Sequence, residues 1–477
     1  MHSSKLLKIL KNLTEEEIRR FHKFIRSPYY SYKKHCLPFF EYIRRYYPDF
    51  TSSKLSKENA FHHLFPDKAF QSQKMRHVMT DLVNLLEDFL VAEQIKRNDF
   101  QKKKLLRDAY GDRDLYEYFE KSTADISKTL DALPYRNSFY QHESMKNQEV
   151  YFFHPSTKKH LVKENYLERI NEHLDQYFRL SKLQLATEMK ARASILSKTY
   201  QISYLAEILE KADSSNPIPI EASLYKSALQ LYEEDTLEEF VKLKEQFLEN
   251  IQKLSGSDRT FLFYHLLNFT IRKGNAGQQV FLKESFALYQ VGLEMKILIN
   301  KGRIADSTYT NICAAGIKIG QYDWVEKFIE SYSSYLNIDV RDNARILCKA
   351  FLFYGQRMFR ETDELISSFN FTSPFYQLRG KILSIRALLE LYLKDHTYFD
   401  LIQSASSAFE KFIRRNQTLG IEHKKAYLGF IQHLRQLVSL SVNLKLSAEA
   451  KAKFKAKISK QVSVINRDWL IQKIDEA

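Results

Sequence analysis

The chain has 477 residues, more than one hydrophobic core holds, because single cores stop growing near ~250–300 residues. Hydrophobic residues make up 44% and charged residues 27%, which is ordinary for a globular protein and ample for a large core, and no stretch approaches the ~20 apolar residues that span a bilayer. The net charge of +15 sits at the ends: residues 1–110 hold 22 Lys and Arg against 13 Asp and Glu, 423–460 hold 9 against 1, and 111–422 balance at 40 against 41.

Twelve Gly and nine Pro are few for this length, which favours helices joined by tight turns over β-sheet corners. The expected fold class is all-α. Cys36, Cys313 and Cys348 have no paired spacing, as for buried free thiols in a reducing compartment. With no leader-like apolar run at the start, a cytoplasmic location is expected.

In chain order, Thr14 and Glu17 form a capping-box pair, opening a helix with Ile18, Phe21 and Ile25 on one face that stops at Ser27-Pro28. A helix over about 34–47 carries Phe39, Phe40, Ile43 and Tyr47. Ser56 caps a short helix bearing Phe61 and Leu64, which Pro66 ends. A long helix over about 72–97 places Met75, Val78, Leu82, Leu86 and Phe89 at helical spacing. These elements make a basic N-terminal unit, 1–110.

A helical middle region, 111–213, contains a helix closed by Pro134, a turn around 154–160, and a long helix from Glu164 to Leu196 with Leu167, Ile170, Leu174 and Phe178 on a shared face. SSNPIPI, 214–220, reads as a loop and domain boundary. Beyond it, helix pairs recur over 221–420. Tyr322, Phe359 and Phe399 mark the second helices of three pairs and stand 37 and 40 residues apart, a period that marks an α-solenoid of antiparallel helix pairs. Basic capping helices close the chain over 421–477, where Phe454, Ile458, Val462 and Ile465 keep one face and Lys451, Lys453, Lys455 and Lys457 spread around the surface.

With Gly320-Gln-Tyr322 at the turn and small residues Ala314 and Ala315 on the preceding helix, the region 305–415 resembles tetratricopeptide-type helical repeats. The resemblance implies a concave face that binds a protein or peptide, with the first helix of each pair lining it. Tyr309, Asn311 and Arg345 are the candidate groove residues on that basis. Residues 54–90 resemble the two-helix core of winged-helix regulators, with Phe65-Pro66-Asp67 as the turn. That likeness implies nucleic-acid contact through Lys74, Arg76 and His77, with phosphates drawn by the basic ends.

No Gly-rich phosphate loop, HExxH, CxxC or GxSxG pattern occurs, and GNAG at 274–277 reads as a turn. His35-Cys36 and His62-His63 are adjacent pairs whose side chains diverge by about 100° on a helix, so neither chelates one ion easily. The expected function is therefore non-enzymatic, with no cofactor or metal, and the expected partner is a protein or peptide, or alternatively a nucleic acid.

Overall fold

The computed structural model describes the chain except for residues 31–32, 158–164, 195, 197, 215–218, 418, 442–446, 462–463 and 477; of 211–214 it describes the backbone. The centre of the expected loop at 214–220, part of the expected turn at 154–160, and Val462 therefore lie outside the described residues. Among the described residues the fold is all-α, with 23 α-helices and no β-strand. Cα packing divides it into two compact units, Met1–Ser181 and Lys182–Ala477.

The first unit opens with α1 (Lys5–Lys11) and α2 (Glu15–Arg26). The capping box forms as expected: Thr14 Oγ1 accepts from the Glu17 backbone N–H at 3.2 Å, and Glu17 Oε2 accepts from the Thr14 N–H at 2.9 Å. Then come α3 (Cys36–Arg44), α4 (Lys57–Leu64) and α5 (Ser72–Arg97). Phe21 of α2 sits against Phe40 and Phe89, with ring centroids 4.9 and 5.3 Å away. It joins the buried faces of α2, α3 and α5 into one core.

α6 (Asp99–Gly111), α7 (Tyr116–Asp131) and α8 (Ser138–Phe153) follow. The buried face of α8 is largely polar, with Gln141, Glu143, Ser144, Asn147 and Gln148. Arg107 donates to Asn147 Oδ1 at 2.8 Å, and Asn147 donates to Ser127 Oγ at 2.9 Å and the Thr123 carbonyl at 3.0 Å. These bonds satisfy groups whose burial is otherwise costly. α9 (Tyr166–Ala193) inverts the face its sequence suggests. Leu167 and Leu174 are 55% and 46% exposed, whereas Leu180, Leu183 and Ala186 are buried.

After α10 (Leu205–Ser214), the second unit proceeds as helical hairpins: α11 (Ile220–Glu234) with α12 (Leu237–Asn250), α13 (Gly256–Asn275) with α14 (Gln279–Glu294), α15 (Asp306–Lys318) with α16 (Tyr322–Tyr332), α17 (Ile338–Gly355) with α18 (Phe359–Ser368), and α19 (Pro374–Lys394) with α20 (Phe399–Arg415). Helices pack on their neighbours in sequence order, and first helices also pack on one another, α11 on α13, α15 on α17 and α17 on α19. This is the architecture of an α-solenoid. Four successive hairpins turn on a residue with positive φ, namely Asp235, Gly277, Gly320 and Arg357. Their positions differ by 42, 43 and 37 residues, so the repeat extends back to α11.

The GNAG turn forms as expected, since Gly277 adopts φ +91° between α13 and α14. In the α17–α18 hairpin Gly355 stays helical and Arg357 takes the left-handed place. Gly355 serves packing instead: Tyr322 donates its hydroxyl to the Gly355 carbonyl at 2.9 Å, and a Cβ there would sit 2.6 Å from Ile317 Cγ2. α21 (Ile421–Ser441), α22 (Ala448–Lys460) and α23 (Arg467–Glu476) close the unit. Phe454, Ile458, Leu470 and Ile474 join the core of α19–α21.

Gly316 of α15 is a tight contact point, where a Cβ would lie 2.9 Å from Phe286 Cε2 and press on Val325. Gly316→Ala should therefore lower unfolding stability by about 1–3 kcal/mol through overpacking. Gly256→Ala, at a position with nothing within 4 Å, should be neutral or mildly stabilising. Urea unfolding of the two variants distinguishes packing from helix propensity.

Candidate functional site

The site lies on the first helices of the second unit. Near its C-terminal end α17 carries Tyr354, and α19 carries Arg386 and Glu390, one turn apart and therefore on one face. α23 supplies Trp469 and Lys473 at the same four-residue spacing. Trp469 donates its indole N–H to the Tyr354 hydroxyl at 3.0 Å, and Tyr354 donates to Glu390 Oε1 at 3.0 Å. Lys473 reaches both Glu390 oxygens, at 2.7 and 2.8 Å, and also pairs with Glu476.

The side chains of Lys473 and Glu390 are 7% and 12% exposed, so this ion pair is largely withdrawn from water. Burial pushes the Tyr354 phenol up to about 12, which keeps it a protonated donor at neutral pH. The Arg386 guanidinium lies between two rings, 4.7 Å from the Tyr354 centroid and 4.9 Å from the Trp469 centroid, as cation–π attraction favours. Its Nε is buried without a hydrogen-bond partner among the described residues.

Beside this network opens a cavity of about 660 Å³, to which α15, α17, α19 and α23 all contribute. Ala314, Ile317, Phe351 and Leu393 give it an apolar wall, and Lys318, Arg357 and Lys394 add positive charge. That combination of apolar surface and a few convergent polar groups is what peptide and ligand pockets present. At the opposite end of these helices, Tyr376 of α19 donates to Asp306 of α15 at 2.9 Å, past the intervening α17. Three successive first helices therefore act as one surface.

Of the sequence-derived groove candidates, Tyr309 is fully buried and donates to the Ile329 carbonyl at 3.0 Å. It belongs to the core between α15 and α16 and lines no groove. Asn311 is exposed and Arg345 half-buried, and neither borders the cavity. Cys313 and Cys348, distant in sequence, meet across α15 and α17 as buried free thiols; burial and the neighbouring thiol push Cys313 well above the ordinary thiol range, which leaves it protonated and unreactive.

In the first unit, Lys74 lies over the Phe65 ring at 3.9 Å, while Arg76 and His77 are exposed on the first turns of α5. Asp81 and Glu87 of the same helix pair with Lys33 at 3.6 Å and Lys5 at 2.5 Å. Seven residues, 65–71, join α4 to α5, and no strand stands beside them among the described residues. The His35 ring rests on Phe65 at 4.5 Å and His63 on Tyr42 at 4.8 Å. No group of three His, Cys, Asp or Glu able to hold a metal ion occurs among the described residues, and no helix there is long and apolar enough to cross a membrane.

The network residues Tyr354, Arg386, Glu390, Trp469 and Lys473 carry no motif that the sequence exposes. The nearest signal is Trp469, one of two tryptophans in the chain. Comparison of the chain with protein families, curated proteins and solved structures gives no match.

Lys473→Met strips Glu390 of its buried countercharge and should cost about 3 kcal/mol, whereas adding Glu390→Gln should restore part of that. Thermal unfolding of the single and double variants measures it.

A second polar site of this unit gives a pH dependence. His265 is 6% exposed, with the Tyr232 hydroxyl 2.8 Å from Nδ1 and Glu188 Oε2 3.6 Å from Nε2. Burial lowers its pKa from 6.5 to about 4, against the opposing pull of Glu188. The folded state thus holds the neutral ring while the unfolded chain takes up a proton below 6.5. Stability present above that value should decline by ~3 kcal/mol as pH falls towards about 4. His265→Gln should flatten this part of the profile in urea melts collected between about pH 7 and 4.

Proposed function

We propose that this chain is a non-enzymatic helical-repeat protein that binds a protein or peptide partner on the face formed by α15, α17 and α19, and that its hairpins are of the tetratricopeptide-like kind. The observation that carries the reading is the cavity of about 660 Å³ shared by three successive first helices, with an apolar wall and a charged rim. A partner segment laid there would bury apolar side chains against Ile317 and Phe351 while its polar groups meet Lys318, Arg357 and Lys394. Buried anchors of this sort dominate affinity, and rim charges tune rate and selectivity.

The tetratricopeptide likeness draws support from the turn residues at a period near forty, from Gly316 at a tight contact with Phe286, and from the Tyr322–Gly355 bond between successive hairpins. A nucleic-acid reading centred on Lys74, Arg76 and His77 draws less support. Lys74 is folded onto Phe65, and the neighbouring acids Asp81 and Glu87 keep α5 mixed in charge.

The test places a photo-crosslinking phenylalanine analogue at Phe351, in the cavity, or at Val280, an exposed residue of α14. In cell extract the analogue at position 351 should give a discrete adduct that the one at position 280 does not. Identical adduct patterns at the two positions, or none at either, would remove the reading.

A further inference from the structure

On the premise that the first-helix face is a partner site, α23 is already a helix bound to it. It presents two faces. Leu470 and Ile474 are buried in the core with α21 and α22. Trp469 and Lys473, each one residue earlier, reach α17 and α19, indole to Tyr354, ammonium to Glu390, and the indole face to Arg386, while the Trp469 ring also touches Phe430 of α21 at 6.1 Å between centroids. The cavity beside them, with its apolar wall of Ala314, Ile317, Phe351 and Leu393, is not filled by α23. The face thus holds its aromatic and cationic subsites occupied and its apolar subsite open.

We propose that α23 is a stand-in ligand held in cis: the partner's binding element is an amphipathic helix carrying an aromatic residue and a lysine four positions apart, and it takes the place of Trp469 and Lys473 while filling the open cavity. Charge complementarity selects that chemistry. Glu390 accepts from the Tyr354 hydroxyl and from Lys473, so an incoming helix must bring a cation to replace Lys473. The indole site, bounded by the Arg386 guanidinium on one face and the Tyr354 hydroxyl at its edge, needs a flat ring with a donor at its edge, which Trp or Tyr supplies. When Trp469 and Lys473 are displaced, α23 remains tethered through Leu470 and Ile474, so the change needed is withdrawal of these two side chains from α17 and α19, with Trp469 also giving up its contact with Phe430 of α21.

The test uses the full-length chain and a fluorescein-labelled synthetic peptide of residues 464–476. Wild-type protein should bind it weakly, because the cis helix competes. Lys473→Glu in the protein opposes Glu390 and should raise affinity for the wild-type peptide at least tenfold in fluorescence anisotropy. The swapped chain, Glu390→Lys with Lys473→Glu, rebuilds the pair and should return to weak binding. Circular dichroism establishes folding, and Trp469→Ala, which introduces no buried like charge, serves as the second opened variant if Lys473→Glu does not fold. A folded, opened variant that binds the peptide no better than wild type overturns the proposal and leaves α23 as a structural cap. Trans binding in the absence of any crosslink from position 351 would retain the cis exchange while retiring the partner reading; a crosslink without trans binding would do the reverse.

Discussion

The second unit depends on one backbone constraint: each of four successive hairpins must reverse within a few residues and deliver the next first helix close beside the last. A single left-handed residue per turn meets it, at Asp235, Gly277, Gly320 and Arg357. Glycine takes that conformation freely, whereas other L-residues lose roughly 1–2 kcal/mol. Asp235 has a visible offset, since its carboxylate accepts from Arg272 and Lys273 of the following first helix at 2.6 Å each. The charge that tolerates the turn therefore also fastens one hairpin to the next. Reversal of the chain and stacking of the repeats are, at that position, one interaction.

Close stacking is what aligns the site. Tyr322 bonding to the carbonyl of Gly355 fixes α16 against the end of α17, and the same end of α17 carries Tyr354. The register of hairpins then sets Tyr354 opposite Glu390, 36 residues later, with a hydrogen bond of 3.0 Å. Arg386 follows from helical geometry, one turn before Glu390 on the same face. Its guanidinium is weakly hydrated and planar, so it fits between the Tyr354 and Trp469 rings where a lysine ammonium would not.

Much of the fold is legible in the sequence because its signals are local. The Thr14–Glu17 box, the Ser56 cap and the apolar spacing of residues 75–89 each name an element without reference to anything distant. The errors arise where one pattern admits two outcomes. Gly355 stands two residues before a hairpin turn, yet it serves a close approach, and Arg357 makes the turn. α9 has apolar residues on more than one side, and spacing alone does not say which side is buried. α8 packs through a polar face that no hydrophobic periodicity could reveal. Tyr309 and Asn311 lie two residues apart, hence about 200° around a helix, so they could not share a groove. The cavity network is invisible in the sequence because its members at 354, 386–390 and 469–473 are ordinary helical residues until the hairpins bring them together.

A helix of ten residues such as α23 is marginal alone in water. Its helicity therefore comes from the surfaces it touches, with Leu470 and Ile474 buried in the core and Trp469 and Ile471 packed against it. Trp469 and Lys473 are then presented already ordered, at the high effective concentration that a short tether confers. A competitor from solution must overcome that advantage, and mimicry of the two polar contacts alone does not suffice. The surplus has to come from surface that α23 leaves untouched, and the apolar wall of Ala314, Ile317, Phe351 and Leu393 is the part of this face able to provide it. On the proposed reading, a polar network occupied by α23 next to an apolar wall would favour partners longer than α23 and more hydrophobic on the side facing α15.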